Sequence, residues 1–152
     1  MKLIEGKSVT DVKRGLILQQ VNCQGVMGSG VAAAIRAKWP VVFTDYAQHC
    51  RTGVKPSDVL GSTNVTEVEP QLFVINLFGQ LNYGRDKKRY TSYDALDEAL
   101  KRTRAWMDEH KWHSFDVHHP LIGSGLGGAH WPVVAQLIEQ HLGLDTTLWL
   151  YP

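Results

Sequence analysis

The chain has 152 residues, 43% of them apolar, which is the size of one typical domain and enough to bury one sizeable core over residues 1–152. Sixteen Lys and Arg stand against fifteen Asp and Glu, so a formal charge of +1 leaves no surplus positive field for gripping a nucleic-acid backbone by charge alone. No apolar stretch approaches the roughly 20 residues needed to cross a bilayer. Met1-Lys2 leads directly into a strand-like segment, so a cytoplasmic protein without a signal peptide or membrane partner is expected. Cys23 and Cys50 are too few for a disulfide scaffold and lack zinc-site spacing, and both are expected to be reduced.

In chain order, Gly15 to Val21 is a short apolar run opened by Gly and closed by Asn22, the pattern of a buried strand. Val31 to Lys38 consists mostly of strong helix formers and stops at Trp39-Pro40, because proline disfavours helical geometry in the residue before it. A second helix is predicted from Val41 to about Cys50, with Gly53, Pro56 and Gly61 marking the turns beyond it. Leu72 to Phe78 is an unbroken apolar run between Pro70 and Gly79, as expected for a strand covered on both faces. From Tyr93 to His110, Leu96, Leu100, Thr103 and Met107 recur every three or four residues, which predicts a helix capped by Ser92 or Thr91. Phe115 to Ile122 reads as a strand, Val133 to Leu142 as a helix, and Thr147 to Tyr151 as a last strand. Strands alternating with helices predict a three-layer α/β/α sandwich with a mixed, largely parallel central sheet, whose ligands bind at the carboxyl ends of the strands.

Two glycine-rich loops fall at such strand ends. Asn22-Cys-Gln-Gly-Val-Met-Gly-Ser-Gly30 joins the first buried strand to a helix, so its backbone amides and the helix N-terminus can face one anion together. It is neither a Walker loop nor the dinucleotide Gly-x-Gly-x-x-Gly pattern. Pro120-Leu-Ile-Gly-Ser-Gly-Leu-Gly-Gly128 repeats the arrangement. Seven of the fourteen glycines lie in these two loops (Gly25, Gly28, Gly30, Gly123, Gly125, Gly127 and Gly128), more than simple connections require, and this points to a diphosphate clasp.

Gln20-Val-Asn-Cys-Gln-Gly-Val-Met-Gly-Ser-Gly-Val-Ala32, taken with Leu121-Ile-Gly-Ser-Gly-Leu-Gly-Gly-Ala-His-Trp131, resembles the macrodomain, the ADP-ribose-binding fold. The Met-Gly-x-Gly form is most similar to a branch that includes ADP-ribose 1''-phosphate phosphatases, terminal ADP-ribose protein glycohydrolases and antitoxin macrodomains that reverse DNA ADP-ribosylation. The resemblance implies that Gly28, Ser29, Gly30 and Val31 approach the distal ribose and diphosphate. It implies that Gly123, Ser124, Gly125, Leu126, Gly127 and Gly128 wrap the phosphates from the other side, and that Asn22 points at the distal ribose. An amide offers both donor and acceptor to ribose hydroxyls, while an Asn closing a turn is the alternative.

Three positions depart from the family pattern. The Asp that often follows the first strand's Gly is absent, since Gly6 is followed by Lys7 and Ser8, and Asp11 is a candidate substitute. The glycohydrolase and antitoxin branches use a lysine after the central strand, whereas Ile75-Asn76 here leads to Leu77-Phe78-Gly79-Gln80. Gly127 stands where the protein glycohydrolase has an acidic residue.

Without that lysine, His130 is the candidate general acid or base, its alternative role being to cap the following helix. Asp86 and Arg85 lie in Asn82-Tyr-Gly-Arg-Asp-Lys-Lys-Arg-Tyr90, a polar loop that could close over a ligand, with Tyr83 and Tyr90 stacking or hydrogen-bonding, or serve only as a solvated basic turn. His118 and His119 would point to opposite faces of a strand, so no metal is predicted. Trp39, Trp106, Trp112 and Trp149 are expected in packing. The expected protein is a monomeric hydrolase without cofactor, acting on ADP-ribose 1''-phosphate. The alternatives are a mono-ADP-ribosyl hydrolase acting on an ADP-ribosylated macromolecule, a non-catalytic ADP-ribose reader, and an unrelated nucleotide-binding module.

Overall fold

A computed structural model describes residues 1–111 and 116–151. Its strands are β1 (Lys2–Glu5), β2 (Gly15–Asn22), β3 (Thr63–Glu69), β4 (Leu72–Gln80), β5 (Val117–His119) and β6 (Thr146–Leu150). Its α-helices are α1 (Gly30–Lys38), α2 (Pro40–Cys50), α3 (Tyr93–Glu109) and α4 (Trp131–Leu142), with short 3-10 turns at Val9–Asp11 and Pro56–Val59. The sheet runs β1-β6-β5-β2-β4-β3, with every neighbouring pair parallel except β3 against β4.

Alternation along the central strands divides the core into two layers. Ile17 and Val21 of β2, with Leu72, Val74 and Phe78 of β4, pack against Ile35 of α1 and Val42 and Tyr46 of α2. Leu16, Leu18, Ile75 and Leu77 face the other way, onto Leu96, Leu100 and Met107 of α3 and Val134, Ile138 and Leu142 of α4. The predicted sandwich is therefore present, with helices covering both faces.

The sequence pattern predicts no strand at Thr63–Glu69, yet one is present. β3 pairs antiparallel with β4 at the sheet edge and turns through Pro70 and Gln71, whose φ is 62°. Its Thr, Asn and Glu residues suit an exposed edge and give no apolar run to detect. β5 is shorter than the predicted Phe115–Ile122 strand. Proline has no N–H to donate, and the carbonyl of Pro120 turns back to accept the N–H of Ile122 at 2.9 Å. Phe115 and Trp112 lie outside the described residues. Ser92 caps α3, accepting the Ala95 N–H at 3.2 Å. Trp39 and Trp149 are buried, and half-buried Trp106 stacks on His110.

Two adjacencies position the site. β2 and β5 are parallel neighbours, with Leu16 opposite Val117 and Ile17 opposite His118, so their following loops leave the same sheet edge side by side. β4 lies on the other flank of β2 and delivers the segment 81–90 to that edge as well. Among the described residues, no helix is long and apolar enough to cross a membrane.

Candidate functional site

The first loop is shaped by Asn22 and Tyr46. Asn22 Oδ1 accepts the Gln24 N–H at 2.9 Å and its Nδ2 donates to the Val26 carbonyl at 2.8 Å. The buried Tyr46 hydroxyl lies 2.8 Å from both the carbonyl and Oδ1 of Asn22, and it accepts the N–H groups of Gly25 and Val26 at 3.1 Å each. Burial raises the Tyr46 phenol above its ordinary range, so it stays protonated as a donor. Gly30 then enters α1 at φ 58°, a left-handed conformation that glycine adopts without strain. The amides of Gly30, Val31 and Ala32 lie in the first turn, where an α-helix offers its N–H groups no internal acceptor.

The second loop is folded on itself. Ser124 donates its N–H to Leu121 O, Gly128 to Gly125 O and Ala129 to Gly123 O, at 2.8–3.1 Å. No bond within the described residues uses the N–H groups of Gly125, Leu126 and Gly127. The N–H groups of Tyr90 and Thr91 both bond the Gly127 carbonyl, at 2.8 and 3.0 Å, tying the segment after β4 to this loop.

Between the loops runs a cleft of about 1130 Å³, large enough for a dinucleotide-sized ligand. Asn22, Gly28, Ser29, Gly30 and Val31 line one wall, and Gly123, Ser124, Gly125, Leu126 and Gly127 the other. Gly128, His130, Asp86 and Asp11, all candidates from the sequence, fall outside that lining. Gly128 packs beneath the backbone of Lys88 and Arg89. His130 occupies the N-cap position of α4, exposed and without a side-chain capping bond, its backbone N–H donating to the Tyr93 hydroxyl at 3.0 Å. Asp86 accepts from the Tyr90 hydroxyl at 2.7 Å and lies 3.7 Å from Lys88, and the Tyr90 hydrogen bond holds its carboxyl below the usual range. It is an anion fixed within the loop and no proton donor near neutrality. Asp11 is exposed and also outside the lining, whereas its neighbours Ser8, Val9 and Thr10 are within it.

The structure adds residues that the sequence reading missed. Gln20 Nε2 donates to both Gln80 Oε1 and Thr91 Oγ1 at 2.8 Å, and Thr91 passes the link to the Gly123 carbonyl at 3.1 Å. Gln19 donates to Asn76, which donates to Asn64, each at 2.8 Å. Two adjacent glutamines inside a buried strand are the available sequence signal, since polar side chains there need partners. At the far end, Ser8, Val9 and Thr10 share the lining with Trp149 and exposed Tyr151.

Among the described lining residues, Arg85 is the only side chain with a formal charge, and no carboxylate or imidazole is present. Cys23, beside Asn22, has its thiol pushed up to about 11 by burial and is no nucleophile at neutral pH. His118 and His119 point apart, onto Trp149 and Trp131 respectively. No cluster of three or more His, Cys, Asp or Glu suited to a metal is found among the described residues.

Two glycine loops at the carboxyl edge of a six-stranded α/β/α sheet, with a cleft between them, define a nucleotide-diphosphate-binding class of fold. The Macro domain family profile matches residues 19–138, and the chain belongs to that family. An ADP-ribose 1''-phosphate phosphatase of Scheffersomyces stipitis is 44% identical over 139 residues, covering 79% of each chain. A DNA ADP-ribosyl glycohydrolase of Mycobacterium tuberculosis is 26% identical over 121 residues, and the match spans only 32% of that longer protein. Among solved structures, a macrodomain protein from Streptomyces coelicolor superposes with a TM-score of 0.78 at 25% identity, over 99% of this chain and 100% of that one. A Bacteroides thetaiotaomicron protein of unknown function reaches 0.83 at 28% identity, over 97% and 96%.

Proposed function

We propose that this macro domain binds ADP-ribose and hydrolyses the phosphate ester of ADP-ribose 1''-phosphate. The observation that carries the reading is the pair of backbone donor sets on the two walls of one cleft, around Gly30 to Ala32 and Gly125 to Gly127. Such amides, at a helix N-terminus and in a glycine turn, stabilise phosphate charge without needing a basic residue for each oxygen. The 44% identical relative named ADP-ribose 1''-phosphate phosphatase supports the same substrate. Residues 1–152 would form one such domain, acting as a cytoplasmic monomer on a small ligand.

The absence of carboxylate and imidazole side chains from the described lining favours phosphoryl transfer over glycosidic cleavage. A loose phosphoryl transition state leaves the protein mainly positioning and charge stabilisation to supply. In the proposed step, a water oxygen attacks phosphorus and the bond from phosphorus to the ribosyl oxygen breaks. Its electron pair and, in net terms, the water's proton go to that oxygen, giving ADP-ribose and inorganic phosphate. The free amides face the charge that develops on the transferring group. Cleavage at the anomeric carbon usually draws on a carboxylate pair or another acid–base group, and Gly127 offers none.

The test is calorimetric titration with ADP-ribose, with ADP and AMP as controls, followed by phosphate release from ADP-ribose 1''-phosphate. Wild-type protein should bind ADP-ribose selectively and release phosphate faster than Gly30→Glu, which places a carboxylate at the phosphate wall. Equal release by the two would overturn the phosphatase reading. Selective binding without turnover would mark a reader or a hydrolase of ADP-ribosylated macromolecules.

A further inference from the structure

We infer that Arg85 is the residue by which this cleft recognises the terminal phosphoryl group, distinguishing ADP-ribose 1''-phosphate from ADP-ribose. The inference rests on the phosphatase reading above and adds a determinant of substrate choice to it. Arg85 is the one charged side chain among the described lining residues, so a cleft otherwise built of neutral amides has a single place where an additional dianionic group gains a full countercharge.

Its attachment is the second observation. Arg85 Nη2 donates to Ser29 Oγ at 2.8 Å, joining the segment after β4 to the N-cap of α1. Ser29 makes no side-chain capping bond, so its hydroxyl is available to that guanidinium. A hydroxyl is a weak partner for an exposed guanidinium, while a phosphate oxygen pair matches the fork bidentately and brings opposite charge. Leaving Ser29 for a phosphoryl group is therefore downhill, and the guanidinium is held beside the wall where that group would sit.

The third observation is that Arg85 rides on a segment anchored at both ends. Gln24 Nε2 donates to Asn82 Oδ1 at 2.9 Å and to Leu81 O at 3.1 Å, securing one end to the first loop. The bonds from Tyr90 and Thr91 to Gly127 O secure the other end to the second loop, and the Tyr90 to Asp86 hydrogen bond stiffens the turn between. Arg85 thus sits near the middle of a strap tied to both walls, which restricts how far its charge can wander.

The test compares wild type, Arg85→Gln and Lys87→Asn. The last removes an exposed charge from the same strap outside the cleft lining, and asparagine tolerates the left-handed φ of 65° found there. For Arg85→Gln, kcat/KM for phosphate release should fall roughly 30-fold, the size of a lost charge-assisted hydrogen bond, while ADP-ribose affinity by calorimetry changes less than about three-fold. Lys87→Asn should match wild type in both. Equal losses in ADP-ribose affinity and in kcat/KM would overturn the inference by making Arg85 a general diphosphate clamp, and so would unchanged turnover. If wild type leaves the ester intact, the phosphatase reading fails. Calorimetry on both compounds then decides the role of Arg85: loss confined to the phosphorylated one upholds it, and equal or no loss overturns it.

Discussion

The Tyr46 hydroxyl sits 2.8 Å from both the backbone carbonyl and the side-chain Oδ1 of Asn22, and the same oxygen receives the amides of Gly25 and Val26. One buried phenol on α2 therefore sets the path of the first phosphate loop. It also occupies Asn22 Oδ1, which further accepts from Gln24, so the acceptor expected for a ribose hydroxyl is largely committed to the loop.

Tyr46→Phe keeps the ring stacked on Phe78 and removes only this hub. Two amides and an asparagine oxygen lose a buried partner, at a cost of about 2 kcal/mol. The expected result is a melting temperature lower by about 5 °C together with weaker ADP-ribose binding. Calorimetry on the folded variant separates the two effects, and unchanged affinity would show that the loop keeps its shape without the phenol.

Stability should decline in mild acid. His119 is fully buried, and burial lowers its pKa from 6.5 to about 4, while His118 is lowered by the same cause. Nδ1 donates to Pro120 O, leaving Nε2 to accept from Thr146 Oγ1, which requires the neutral ring. With the folded pKa below the unfolded value, the unfolded chain binds more protons in this window. The His119 contribution is complete above about pH 6.5 and is lost as the pH falls toward 4, on the order of 3 kcal/mol in all. Urea midpoints measured from pH 8 to pH 4 should follow that decline, with a shallower slope in His119→Gln.

An acidic residue at position 127 should not convert this protein into a glycohydrolase. A Cβ on Gly127 would meet the Gly123 carbonyl oxygen at 2.6 Å and Thr91 Oγ1 at 2.8 Å, so the second loop must move to admit any side chain. Gly127→Asp is expected to lose about 1–3 kcal/mol of stability and to weaken ADP-ribose binding. Gain of ADP-ribose release from a modified protein or nucleic acid would contradict this expectation.

Thr91 couples β2 to the second loop, accepting from Gln20 and donating to Gly123 O. Thr91→Val preserves shape and removes this link, while the Gly123 carbonyl keeps the Ala129 N–H and Gln20 keeps Gln80, so about 0.5–1.5 kcal/mol of stability should be lost. KM for the phosphate ester should rise more than kcat falls, because the change loosens the binding wall without touching the transferring group. Steady-state kinetics beside thermal melts would reveal the opposite pattern if Thr91 acted in the chemical step.

Residue pattern alone determined the strand–helix alternation, the buried character of β2 and β4, the amphipathic α3 and the location of both glycine loops, because each follows from local periodicity and backbone chemistry. The paired loop motifs also carried the family. β3 was not legible, since an edge strand needs no apolar run, and the roles of Tyr46, Gln20 and Thr91 depend on partners distant in sequence. His130 and Asp86 lie close in sequence to cleft-lining residues, yet the capping geometry of α4 and the Tyr90 hydrogen bond place them outside the lining. Proximity in sequence fixes which side chains are candidates. Only the parallel pairing of β2 with β5 and β4, which brings three loops to one edge, decides that Arg85 and Ser29 meet at the cleft.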